Sequence, residues 1–246
     1  MDSIGNTFTL LKSVDSTNNY AMARVHAGMA RHGDAIFSLE QTAGKGQRGK
    51  SWNSGTAVNI ALSCILQPEL VSLANQFTLS LTIALGCYDF VNHYTKSDTS
   101  IKWPNDIYWR DRKAGGILIE NAVKGNIWRY AVAGIGININ QTVFNKKLPN
   151  PVSLKQITGN TYDIVELGKE LCRCLQTRWE LMKNPGRHDL LEEYNSVLYN
   201  RGKKVTLKHN DTLIETVIQA VNHDGHLITF GKKEEVFSWG EVEWVI

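Results

Sequence analysis

The chain has 246 residues, 42% of them hydrophobic and 21% charged, enough apolar material for one large packed domain with or without a small appendage; disorder and fibrous repeats are excluded. Twenty-seven Lys and Arg against 24 Asp and Glu leave a net charge of +3, too even for a protein whose affinity comes from coating a nucleic-acid backbone. The N-terminus lacks a basic stretch followed by an apolar run, no segment is long enough to span a membrane, and the four cysteines (Cys64, Cys87, Cys172, Cys174) read as buried thiols of a cytoplasmic protein.

In chain order, Asp15 or Ser16 can cap a helix over Thr17 to Ala27 that Gly28 ends, and a short strand follows near Ala35 to Leu39. The stretch from Gln41 to Gly55 has no apolar period and reads as a mobile loop. Val58, Ile60, Leu62 and Cys64 alternate with smaller or polar residues, predicting a half-buried strand, and helical spacing then predicts the main packed helix over about Glu69 to Tyr94. Ser100 to Asn140 reads as an antiparallel meander with turns at Pro104-Asn105, Arg110 to Arg112 and Lys124 to Asn126. Helices over about Asp163 to Met182 and His188 to Leu198 precede a tail of short β segments that predicts a small barrel. Six basic residues in that tail are offset by seven acidic ones, which argues against a nucleic-acid-binding barrel.

Four segments carry chemistry. Gly44-Lys45-Gly46-Gln47-Arg48-Gly49-Lys50-Ser51-Trp52 combines spaced glycines with three cations, a loop suited to phosphate and equally readable as a solvated surface loop. It is neither a P-loop nor a dinucleotide fingerprint. In Lys102-Trp103-Pro104-Asn105-Asp106 a proline turn brings opposite charges to the ends of adjoining strands, where Asp106 can serve magnesium or pair with a lysine. In Lys113-Ala114-Gly115-Gly116 alternation puts Lys113 on the face of Gly115, facing either a ligand or solvent. In Gly134-Ile135-Gly136-Ile137-Asn138-Ile139-Asn140 the isoleucines face a core, while the glycines leave room for a flat ligand or for a helix.

The order of these motifs, beginning with Asp15-Ser16-Thr17-Asn18 and Glu40-Gln41-Thr42-Ala43-Gly44, resembles that of the biotin protein ligases. Arg201 to Val205 and Ser238 to Val242 are similar, more weakly, to that family's SH3-like barrel. The resemblance implies an α/β (α+β) fold of the class II synthetase and biotin ligase type: a mixed, largely antiparallel sheet flanked by helices, with a catalytic domain at 1–198 and a small C-terminal barrel at 199–246. It implies an ATP- and magnesium-dependent enzyme that makes biotinyl-5′-AMP and passes biotin to a lysine of a biotin carboxyl carrier protein. Carried over by position, Ser16, Thr17, Asn18, Gln41, Gly44, Lys45, Gly46, Gln47, Lys113, Gly115, Gly116 and Gly134 would meet biotin. Lys45, Arg48, Gly49, Lys50, Trp52, Lys102, Asn105, Asp106, Gly136 and Asn138 would meet ATP or the adenylate, with Asp106 near magnesium. Lys113, Asp106 and Arg48 would be catalytic. Lys45 and Gln47 stand where arginine is often found in the family, which keeps hydrogen bonding but loses the bidentate fork. The form expected is one without an N-terminal DNA-binding domain, binding neither nucleic acid nor membrane, with pairing of two copies through the meander's edge left open. The rival readings are a lipoate ligase of the same architecture and, from another class, a nucleic-acid-binding regulator.

Overall fold

The computed structural model describes residues 2–69, 71–125, 127–145, 148–184 and 189–245. Leu70, Asn126 and His188, which the sequence assigns to the main helix, a turn and a helix start, lie outside that set.

A seven-stranded sheet carries the site. Its strands are β1 (Phe8–Leu11), β2 (Ala35–Ser38), β3 (Ile60–Leu66), β4 (Thr99–Lys102), β5 (Asp106–Trp109), β6 (Arg112–Lys124) and β7 (Ile127–Ile137), in the order β1-β2-β3-β7-β6-β5-β4. Among the described strands of this sheet β1 and β2 pair in parallel and the other neighbours pair antiparallel. The expected meander is present as β4 to β7, but its outer strand is not a free edge. Ile101 donates to the Val197 carbonyl and Tyr199 to the Ile101 carbonyl, so residues 197–199 cap β4.

The strand expected to be half-buried, β3, is buried along its whole length. Ile60, Leu62, Cys64 and Leu66 enter the main core beneath α2 (Gln76–Thr95) and α4 (Ile164–Lys183), while Ile65 on the other face joins Ile36 and Val132 under α1 (Thr17–His26). Period two gives two faces but not what covers the second. Val58 falls in the turn before β3. The main helix begins at Gln76, not near Glu69: a 3-10 turn spans Leu73–Asn75, and Leu73, helical by spacing, is 39% exposed. A short helix α3 (Leu154–Thr158), closed by a reciprocal Ser153–Gln156 capping box, adds to the elements expected from the sequence, and its Ser-x-x-Gln signature is legible there. Asp163 caps α4, and Asp189 caps α5 (Leu190–Ser196).

The tail forms β8 (Lys204–His209), β9 (Thr212–Val221), β10 (Leu227–Phe230), β11 (Glu234–Phe237) and β12 (Val242–Val245), ordered β11-β10-β9-β8-β12. Among the described residues β11 and β12 do not pair, so the expected barrel is an open five-stranded sheet. The Ser238–Glu241 turn carries the chain across to β8, and β12 there meets the turn between β4 and β5: Trp244 Nε1 donates to the Trp103 carbonyl. Trp103 Nε1 in turn donates to the Gly225 carbonyl, and Asn195 bonds both backbone groups of Val221. Leu207, Ile218, Leu227 and Phe237 share one apolar core with the large sheet.

Candidate active site

The start of α1, the glycine loop, the turn before β5 and the middles of β6 and β7 converge on one cleft. Ser16 occupies the N-cap position with extended backbone, yet its side chain makes no capping bond. The Thr17 amide and hydroxyl both donate to Gln41 Oε1, at 2.8 and 3.1 Å. Ser63 Oγ lies 2.7 Å from Thr17 Oγ1 and 2.6 Å from Asn18 Oδ1, so its single proton faces two acceptors. The group is one donor short, which suits a ligand bearing N–H groups. Gln41 Nε2 has no hydrogen-bond partner among the described residues and can donate to a ligand carbonyl.

The floor is glycine for steric reasons. A Cβ on Gly134 would sit 2.2 Å from Asn18 Oδ1, and one on Gly136 would sit 2.3 Å from Trp52 Cε2. Along β6 a bulge opposite Ile107/Tyr108 skips Ala114, so alternation is offset by one. Lys113 therefore shares its face with Gly116, whose Cβ would lie 3.3 Å from Lys113 Nζ, and not with Gly115, whose Cβ would point 2.8 Å from the Gly136 carbonyl. This corrects the face assigned from strict period two. Lys113 Nζ meets Asp106 Oδ1 at 2.7 Å, and Asn105 Nδ2 holds the turn by donating to the Ile117 carbonyl.

The loop that the sequence reads as mobile, residues 41–55, folds back on itself here. Gly46 donates to the Lys50 carbonyl, Trp52 to the Gly44 carbonyl, and a 3-10 turn at Gln47–Gly49 places Arg48 in the left-handed region at φ 55°. Its middle, residues 45–48, is tied to the rest of the molecule by Lys45 to Glu120 (3.4 Å), Gln47 Nε2 to the Ile117 carbonyl (3.3 Å) and Arg48 to the Gly240 carbonyl of the small sheet (3.0 Å). The Lys45–Glu120 pair, partly solvated on both sides, is worth at most about 1 kcal/mol. Trp52 lies against Gly136 with its Nε1 buried and without a hydrogen-bond partner among the described residues, and the open space in the cleft is about 60 Å³.

Of the residues expected at the site, the fold brings together Ser16, Thr17, Asn18, Gln41, Lys45, Gly46, Gln47, Trp52, Asn105, Asp106, Lys113, Gly116, Gly134 and Gly136. Others stand apart. Gly44 backs the cleft wall, where a Cβ would strike the Trp52 carbonyl at 2.4 Å. Arg48 reaches away to Gly240, and Gly49 and Lys50 form the outer turn of the loop. Lys102 is 7% exposed and bonds the Tyr108 hydroxyl at 3.2 Å with its ammonium over the rings of Tyr108 and Trp244; burial pulls its pKa down to about 8. Asn138, 5% exposed and just past the end of β7, donates to the Val152 and Lys113 carbonyls. Ser63, the one polar residue of β3, and Glu120, the one acidic residue of β6, are functional residues that the sequence reading does not single out; those contrasts are the available signal.

A model of the biotin/lipoate A/B protein ligase family matches residues 10–138. The bifunctional ligase/repressor BirA of Escherichia coli is 29% identical over 226 residues, covering 91% of this chain and 69% of the relative. The biotin--[acetyl-CoA-carboxylase] ligase of Paracoccus denitrificans is 32% identical over 178 residues, covering 70% and 72%. A structure of the Aquifex aeolicus biotin protein ligase with biotin and ATP superposes with a TM-score of 0.81 at 24% identity, covering 97% of this chain and 98% of that one. With the family model spanning the strands and loop that build the cleft, the chain belongs to the biotin/lipoate A/B protein ligase family.

Proposed function

We propose that the chain is a biotin protein ligase that joins biotin to ATP as biotinyl-5′-AMP and then transfers biotin to a lysine of a biotin carboxyl carrier protein. The observation that carries this reading is the pairing, in one cleft, of a donor-deficient Thr17–Asn18–Ser63 group with the Lys113–Asp106 pair under a cationic loop. A ureido ring supplies two N–H donors to the first and a carbonyl to Gln41 Nε2. The names of the relatives favour biotin over lipoate.

A carboxylate is a poor electrophile until it carries a good leaving group. Biotin's carboxylate attacks the α-phosphorus of ATP and releases pyrophosphate; the acceptor's lysine then attacks the mixed anhydride and releases AMP. No covalent enzyme intermediate is needed, so the protein's work is alignment and charge neutralisation. Lys113 holds the carboxyl oxygen through both attacks, and Lys45 with Gln47 follows the valeryl tail toward the phosphate. Among the described residues no three acids, histidines or cysteines converge on a metal. Asp106, the one carboxylate lining the cleft among the described residues, would hold a magnesium ion, which when bound would offset phosphate charge.

Ligand pockets commonly offer roughly 300 Å³ or more. The space here is smaller, and Trp52 fills the floor over Gly136, so the loop and Trp52 shift as ligand enters and close again over an anhydride that water would destroy. No helix among the described residues is long and apolar enough to cross a membrane, and the four cysteines are free, in keeping with a cytoplasmic enzyme. With β4 capped, pairing of two copies through the large sheet would use β1, beyond which no strand lies among the described residues. ATP–pyrophosphate exchange with biotin and with lipoate side by side, followed by transfer to an apo carrier domain, tests the reading. Exchange driven by lipoate alone would overturn it.

A further inference from the structure

Beyond the bulge at Ala114, Gly116, Leu118 and Glu120 follow one another on the face of β6 that looks into the cleft. The two carboxylate oxygens of Glu120 have separate partners. Oε2 accepts from Asn18 Nδ2 at 2.8 Å, while Oε1 faces Lys45 Nζ at 3.4 Å. Asn18 Nδ2 also lies 3.4 Å from the Leu118 carbonyl, so a reversed amide would turn its oxygen onto two acceptors. Glu120 thus dictates which way the amide points and directs Oδ1 at Ser63. The second contact is longer, joins partly solvated groups and is easily given up to a more highly charged anion.

We infer that Glu120 is a positioning residue that couples the head-group pocket to the glycine loop: one oxygen fixes Asn18, and the other holds Lys45 until a ligand phosphate takes the lysine over. The identity of that phosphate rests on the ligase reading. Only a carboxylate does both jobs, because it accepts at both atoms; a glutamine accepts from Asn18 with its oxygen but offers Lys45 a second donor.

The test compares Glu120→Gln with Glu120→Ala. In the ligand-free protein at low salt, the amides of Gly46 and Trp52, which are bonded inside the loop, exchange with deuterium about threefold or more faster in Glu120→Gln than in wild type. Salt at about 0.5 M brings the wild type to the variant's rate by screening the pair. In a Lys45→Ala background Glu120→Gln changes the exchange no further. Calorimetry with biotin gives an affinity within about twofold of wild type for Glu120→Gln and about tenfold or more weaker for Glu120→Ala, which leaves Asn18 unheld. Wild-type exchange rates in Glu120→Gln, or equal loss of biotin affinity in both variants, would overturn the inference. Because the exchange arm uses no ligand, failure of the wild type to bind biotin would count against the ligase reading alone.

Discussion

Single atoms decide the cleft. Gly136 exists as glycine because a methyl group there would enter the indole of Trp52, so Gly136→Ala is expected to displace Trp52 and raise the KM for ATP by about tenfold or more while leaving the Tm nearly unchanged. Steady-state kinetics with a thermal melt checks both halves. Lys113 reaches over Gly116 to Asp106 and fills no core space, so Lys113→Ala should remove adenylation and transfer by about 100-fold or more in a protein with wild-type circular dichroism. Near-normal biotinylation by that variant would take Lys113 out of the mechanism. Lys102 is a different kind of lysine. Burial holds its pKa near 8, below the ordinary lysine value of 10.5, so folding releases a proton between those values and stability rises as pH climbs from 8 toward 10. Lys102→Met, which keeps the apolar stem, should be more stable than wild type at pH 7, by about 2 kcal/mol, with the advantage fading toward pH 10. Urea unfolding at pH 7 and 9.5 reads this, and an advantage independent of pH would refute the burial argument.

Elements are held in place by a few polar ties between apolar surfaces. Arg178 on α4 donates to both oxygens of Asp89 on α2 and to Glu193 on α5, and its side chain is 13% exposed. These carboxylates hold the guanidinium pKa above its usual value. Arg178→Ala strips the cation from two neighbouring acids and should cost about 2 kcal/mol in urea unfolding, less than a fully enclosed pair because water still reaches the carboxylates. Capping signals located α1, which Ser16 and Gly28 bracket, and α4 lies where it is expected, its apolar stripe turned to the core. Helix periodicity overran α2, because Leu73 keeps helical spacing while facing solvent. Strand periodicity missed the Lys113 face for a related reason: a bulge leaves no mark in the alternation and is set by how β5 and β6 pair.

The whole molecule is tied through Trp103, which sits in the Lys-Trp-Pro-Asn-Asp string beside the cleft and bonds the small sheet at Gly225 and Trp244. Arg48 adds a loop-to-sheet tie at Gly240. With a common apolar core, the two sheets are expected to unfold in one transition, tryptophan fluorescence and circular dichroism giving the same midpoint. Asn195→Ala, which strands both buried backbone groups of Val221, should lower that midpoint by the equivalent of about 2 kcal/mol without splitting it. A separate early melt of the C-terminal sheet would mean that the ties across the junction do not couple the sheets.

What the sequence determined by itself is local: the capped helices, the meander, the glycine-rich loop and the set of chemical groups that the cleft draws on, because caps, turns and periodicity are written in neighbouring residues. What only the tertiary structure decided is which of those groups meet. Ser63 and Glu120 are 57 residues apart in sequence and become parts of one network through Asn18, while Lys102, Asn138 and Arg48, equally polar and equally close to the motifs, turn to Tyr108, Val152 and Gly240 instead. Strand pairing, one bulge and the covering of the second sheet face make that selection, and each depends on residues far away along the chain.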